Sequence, residues 1–160
     1  MRVLGIDPGT QVCGYGVVDL DGADLKAVDY GVVKAPSGPL PQRLAVIHEG
    51  LKVVIARHNP DVVAVEGVFR GVNSRTALKI GEGRGVALLA AAAAGVKVAE
   101  HSPAMVKKAV VGSGRAHKSQ VQQMVRVILG LKEVPSPEDA ADALAVAICH
   151  CHRHRLEGIV

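Results

Sequence analysis

Hydrophobic and polar positions along this chain follow two periods, and the switch between them sets out its elements. Val3, Leu4 and Ile6 form a short apolar run closed by Asp7 and the Pro8-Gly9 turn, the pattern of a buried strand ending at the lip of a sheet. Gly14 to Leu20 alternates, Asp21-Gly22 is a hairpin signal, and Asp24 to Val33 reads as a third strand returning antiparallel. Pro36, Gly38, Pro39 and Pro41 break the pattern. Leu44, Ile47, Leu51 and Ile55 then recur at helical spacing until Asn59-Pro60. Reached through that helix, the apolar run Val62 to Val65 is predicted to be a parallel strand, and it ends in Glu66-Gly67.

A long helix is predicted from Ser74 to Ala94. Along it Ala77, Gly81, Gly85 and Ala92 keep one stripe small, which suits either close packing on the sheet or a seam between two copies of the chain. Val96 to Ala99 is a further short strand. Ser102-Pro103 supplies an N-cap and an N1 proline, Gly112 to Arg115 breaks the helix they open, and Lys118 to Gly130 is helical again. After Pro135-Ser136-Pro137 the last helix runs from Glu138 to Arg153. The order predicts a mixed α/β domain of five strands, an antiparallel meander joined to parallel strands, with residues 1–160 forming one unit.

Composition narrows the class. Half of the 160 residues are hydrophobic, but there is no Trp, one Phe and two Tyr, so the core is aliphatic. Nineteen Lys and Arg against fifteen Asp and Glu give a net charge of +4, which favours a polyanionic partner only where the positive charge is clustered. Cys13, Cys149 and Cys151 form no disulfide framework and indicate a reducing compartment. The start on a strand leaves no room for a signal peptide, and the Ala-rich run from Val86 to Val98 falls short of the roughly 20 residues a membrane span needs. A cytoplasmic protein is expected.

The chemistry lies in the acids. Asp7 alone is explained as a turn residue, and Asp139, in the sequence Ser136-Pro137-Glu138-Asp139, as the N3 member of a capping box. Asp142 has neither excuse. Its neighbours Ala140, Ala141 and Ala143 to Ile148 are apolar all round, so the helix is buried, and a carboxylate there needs a salt bridge or a cation. Asp7, Glu66, Asp139 and Asp142 thus lie on two strand ends and one buried helix. Clustered carboxylate oxygens suit Mg²⁺ or Mn²⁺, and a pair of such ions stabilises the attacking and leaving oxygens of a displacement at phosphorus.

Positive charge is clustered as well. Lys107, Lys108, Arg115, His117 and Lys118 surround the Gly-rich break, where backbone amides and a helix start favour a phosphate; a solvated basic loop is the alternative. Phe69-Arg70 follows Glu66 in a polar loop, where the aromatic ring either stacks on an unpaired base or folds back on the core. The tail Cys149-His150-Cys151-His152-Arg153-His154 is not a zinc site by this reading. Alternate residues of one helix point too far apart, and basic groups at a helix C-terminus have a simpler explanation.

Gly5-Ile6-Asp7-Pro8-Gly9, Val65-Glu66, Val111 to Gly114 with Lys118-Ser119-Gln120-Val121, and Asp139-Ala140-Ala141-Asp142-Ala143-Leu144-Ala145 closely resemble the RuvC family of Holliday-junction resolvases, over nearly the whole chain. The resemblance implies a ribonuclease-H-like fold and a homodimer that resolves four-way DNA junctions by two symmetric Mg²⁺-dependent nicks during recombination and repair. It also implies two metal ions per site, held by Asp7, Glu66, Asp139 and Asp142, with Mn²⁺ as a substitute. DNA contacts would fall on Lys107 and Lys118, with Phe69 near the junction centre, and a branch-migration helicase complex would be a partner. Two positions depart from the family pattern: Gly67 stands where a Gln is common, and Glu138 adds a carboxylate beside the catalytic set. The first ten residues also resemble the phosphate loop of actin-like and sugar-kinase proteins, but those need two such domains.

Overall fold

The computed structural model describes residues 1–67 and 71–158. Three antiparallel strands come first: β1 (Arg2–Asp7), β2 (Val12–Asp21) and β3 (Asp24–Lys34). Helix α1 (Leu40–His58) then crosses to β4 (Val62–Glu66), and α2 (Ser74–Ala93) leads to β5 (Lys97–His101). Helices α3 (Pro103–Val111), α4 (Lys118–Ile128) and α5 (Glu138–Glu157) complete the chain. The strands form one mixed sheet in the order β3-β2-β1-β4-β5, with β1, β4 and β5 parallel, as the sequence predicts.

The sheet has a packed core on each face. Strand alternation sends Leu4, Ile6, Cys13, Val17, Val63 and Val65 to one face, where they meet Ile47, Leu51 and Ile55 of α1 and Ala87, Ala90 and Ala91 of α2. Val3, Val18 and Ala64 go to the other face, against Val106, Val110, Val121 and Val125 of α3 and α4 and the buried side of α5. Asp7 is two residues beyond Gly5, and Glu66 two beyond Ala64. Both acids therefore point to the α5 face.

Helix α5 runs against the sheet with almost no side chain between them. A β-carbon at Gly5 would collide with the backbone of Ala143 and Ala147, and one at Gly16 would collide with Leu144. Buried positions from Ala140 to Cys151 surround this helix on every side, as its uniform apolarity requires.

Four local expectations need correction. The strand expected from Val96 is shifted to Lys97–His101, and the helix expected to reach Gly130 ends at Ile128; Gly130 itself has the positive φ of a chain reversal. The capping box at the start of α5 does not form. The N-cap is Pro137, no side chain caps the helix, and Asp139 is therefore at N2. The carboxylates of Glu138 and Asp139 in the first turn still complement the helix dipole. Finally, the small stripe of α2 does not pack on the sheet. Its core-facing positions are Gly83, Ala87, Ala90 and Ala91, while Gly81 and Gly85 face open space beside exposed Leu78 and Leu89.

Candidate active site

Two strand ends and one helix start build a cleft of about 320 Å³ lined by Asp7, Glu66, Asp139 and Asp142, together with Lys107 and Lys118. Parallel pairing of β1 with β4 aligns Ile6 with Val65, so the acids that follow them leave the sheet side by side. Gly14, paired with Asp7 across the β1–β2 ladder, lies directly under the backbone of Asp139 and brings the start of α5 down to the strand ends. Behind Asp7 the chain is pinned from two sides. Arg43 donates to the Thr10 carbonyl at 3.2 Å and to Thr10 Oγ1 at 3.1 Å. Gly83 of α2 rests on the Gly9 backbone, leaving 3.0 Å between a β-carbon there and the nearest atoms.

Burial leads the electrostatics of the site, and crowding of like charge adds to it. Burial, and then the neighbouring Asp142, Glu66 and Asp139, push the Asp7 carboxyl up to about 8 against an opposing pull from Lys118. Glu66 is raised by burial and by Asp142, with Lys107 and Lys118 acting against them. Asp142 is raised chiefly by burial, although its hydrogen bond from Lys118 opposes the shift. Lys118 Nζ stands 3.0 Å from Asp142 Oδ2 and 3.0 Å from Glu138 Oε1. Burial lowers its pKa, but the two carboxylates outweigh burial and hold the ammonium charged. Among the described residues, no three His, Cys, Asp or Glu side chains stand close enough as arranged to grip one ion. The donor set nevertheless suits a hard divalent cation: it is all carboxylate oxygen, and three of its four acids are pushed upward by burial and by the neighbouring acids.

The basic residues divide. Lys107 and Lys118 line the cleft. Lys108 lines a separate groove of about 600 Å³ with Met105, Cys149, Arg153 and Leu156. Arg115 is exposed in the α3–α4 turn, outside the cleft lining. Phe69 and Arg70 lie outside the described residues. In the tail, Cys149 and Cys151 are buried in the core and His152 Nδ1 is 3.0 Å from the Ala109 carbonyl, so these groups are occupied by packing. Among the described residues no helix is long and apolar enough to cross a membrane.

Two features were not anticipated. Glu138 shares Lys118 with Asp142 and accepts from Gln122, a pairing between distant segments that no local pattern reveals. The glycine floor under α5 had a signal: Gly14 and Gly16, alternating within a strand, mark one face stripped of side chains for a close backbone.

Known proteins share much of this sequence and its fold. A curated crossover junction endodeoxyribonuclease RuvC from Chloroflexus aggregans is 55% identical over 147 residues, covering 91% of this chain and 90% of the relative. The structure of Thermus thermophilus RuvC superposes with a TM-score of 0.89 at 42% identity, covering 98% of this chain and 97% of that one. The Thermus thermophilus RuvC in complex with Holliday junction substrate gives 0.91 at 43% identity, covering 98% and 96%. The sheet and its helices are accordingly a ribonuclease-H-like resolvase fold. The family model described as crossover junction endodeoxyribonuclease RuvC matches residues 3–150, and the chain belongs to that family.

Proposed function

We propose that this chain resolves four-way DNA junctions by metal-dependent hydrolysis of phosphodiesters, with Asp7, Glu66, Asp139 and Asp142 as the metal-holding acids. One observation carries the reading. All four carboxylates line a single cleft that also receives Lys107 and Lys118. A cleft that only bound DNA would gain nothing from four acids near phosphates. The solved complex of the Thermus thermophilus relative with a Holliday junction substrate supports the choice of substrate.

A divalent cation, when bound, would acidify an attacking water and neutralise charge at the phosphate. We assign Mg²⁺, two ions per site, with Mn²⁺ as a substitute, because hard oxygen donors and a phosphate substrate suit both. The residues themselves do the rest. Asp7, whose carboxyl burial and the neighbouring acids push up to about 8, would release its proton on taking a cation. Lys107 and Lys118 present ammonium groups to backbone phosphates, and Pro103, Val106, Val121 and Ala145 form an apolar back wall that limits water. Arg115, Lys108 and Arg70 are assigned to further DNA contacts, and Phe69 to the junction centre.

Symmetric nicking requires two such clefts, so the working form is a homodimer. The exposed small-residue stripe of α2, flanked by Leu78 and Leu89, is the face we assign to the seam. A branch-migration helicase complex is assigned as a further partner, and the cytoplasm as the compartment.

Gel cleavage of a synthetic four-way junction tests the whole. Asp7→Asn and Asp142→Asn should each abolish nicking in Mg²⁺ or Mn²⁺ while junction binding persists. Cleavage retained by either variant would sink the proposal.

A further inference from the structure

Lys118 is held in a fork with two unlike arms. Asp142 Oδ2 and Glu138 Oε1 are each 3.0 Å from its Nζ. The two acids are four apart on α5 and so share one helix face. Asp142 lines the cleft; Glu138 is exposed outside it. Gln122, one turn after Lys118 on α4, donates to the same Glu138 oxygen at 3.3 Å and orients it toward the lysine. The ammonium thus occupies a carboxylate that a divalent cation would also need. Two positive groups on one carboxylate repel each other, so loading the site weakens the hold of Asp142 on Lys118. Without a second anchor, its flexible stem would carry the charge out into solvent.

We propose that Glu138 is a positioning residue that retains Lys118 at the mouth of the cleft while Asp142 turns to the cation, keeping the ammonium where a junction phosphate arrives. Glu138 is then not a fifth metal ligand, and its effect on the site passes through Lys118. This inference rests on the assignment of Asp142 as a metal ligand.

Calorimetric titration of Mn²⁺ into the DNA-free protein tests it with four proteins: wild type, Glu138→Gln, Lys118→Met and the double variant. With Glu138 removed, Lys118 settles on Asp142 alone, and Mn²⁺ binding weakens by about three- to tenfold. In the Lys118→Met background the same change moves affinity by less than about twofold, the residual field of a screened surface charge. Equal weakening in both backgrounds overturns the proposal, because Glu138 would then act as a ligand or through its own charge. No effect of Glu138→Gln in the wild-type background overturns it too. Asp142→Asn serves as a separate control. If that variant binds Mn²⁺ like wild type, the metal-ligand assignment fails and this inference falls with it. That failure is distinguishable, because all four proteins of the cycle keep Asp142.

Discussion

Gly14 of β2 lies so close beneath Asp139 that a β-carbon there would be driven into the Asp139 carbonyl oxygen. The obstacle is helix backbone, which cannot swing aside as a side chain would. Gly14→Ala therefore lifts the start of α5 from the sheet and carries Asp139 and Asp142 away from Asp7 and Glu66. Overpacking of this kind costs about 1–3 kcal/mol, to be read from urea denaturation. Junction cleavage under folding conditions should fall further than the stability loss explains. Full activity in a correctly folded Gly14→Ala protein would show that the site tolerates a different helix height.

Asp7 predicts an unusual pH profile for the metal-free protein. Its carboxyl is raised from 3.8 to about 8 in the folded state, so between these values the native protein holds a proton that the unfolded chain has released. Stability then falls as pH rises through that window, and the loss is complete above about 8. Glu66 and Asp142 shift in the same direction and add to it. Thermal melts in EDTA should decline from pH 5 to pH 8. Asp7→Asn should flatten the decline and stabilise the apo protein at pH 8 by at least about 1 kcal/mol, since one pKa unit is worth about 1.4 kcal/mol. A melting temperature that climbs over this range would contradict the account.

Lys107 and Lys108 are neighbours in sequence but line different concavities. Lys107→Ala should slow junction cleavage and reduce the salt dependence of junction binding by about one counterion. Lys108→Ala should leave the cleavage rate within about twofold of wild type, because its ammonium never enters the cleft. Single-turnover rates across a salt series separate the two.

The α2 seam makes its own prediction. Leu89 is 59% exposed on the open face of the helix, so a charge there costs an isolated chain little. Buried in a dimer, the same charge is unpaired. Leu89→Glu should shift light scattering toward the monomer and suppress paired nicks while leaving the fold intact. A dimer unchanged by Leu89→Glu would place the seam elsewhere.

Much of this architecture was legible in the chain because the deciding signals were local. Pro8-Gly9 and Glu66-Gly67 mark two strands ending in acids, and the uniform apolarity around Asp142 marks a helix with no solvent face. What escaped depends on tertiary partners. The Ser136-Pro137-Glu138-Asp139 pattern matches a capping box, yet the helix begins one residue later and Glu138 is drawn to Lys118 instead. Lys107 and Lys108 look alike in a basic run, and only the position of α3 between two concavities tells them apart. The stripe on α2 had the right composition for two opposite environments, and which one it meets depends on the turn of helix that Gly83 presses against Gly9.

The in-register pairing of β1 with β4 has a consequence for how freely this chain can vary. Asp7 and Glu66 are neighbours because their strands are, so their spacing belongs to the hydrogen-bond ladder and not to the long path that joins them in sequence. The exposed tip of the turn between β3 and α1, at Gly38 and its neighbouring prolines, is better suited to absorb an added residue than either strand. A single residue inserted within β4 would be far more damaging. It would send Glu66 to the opposite face of the sheet and leave the cleft with three acids.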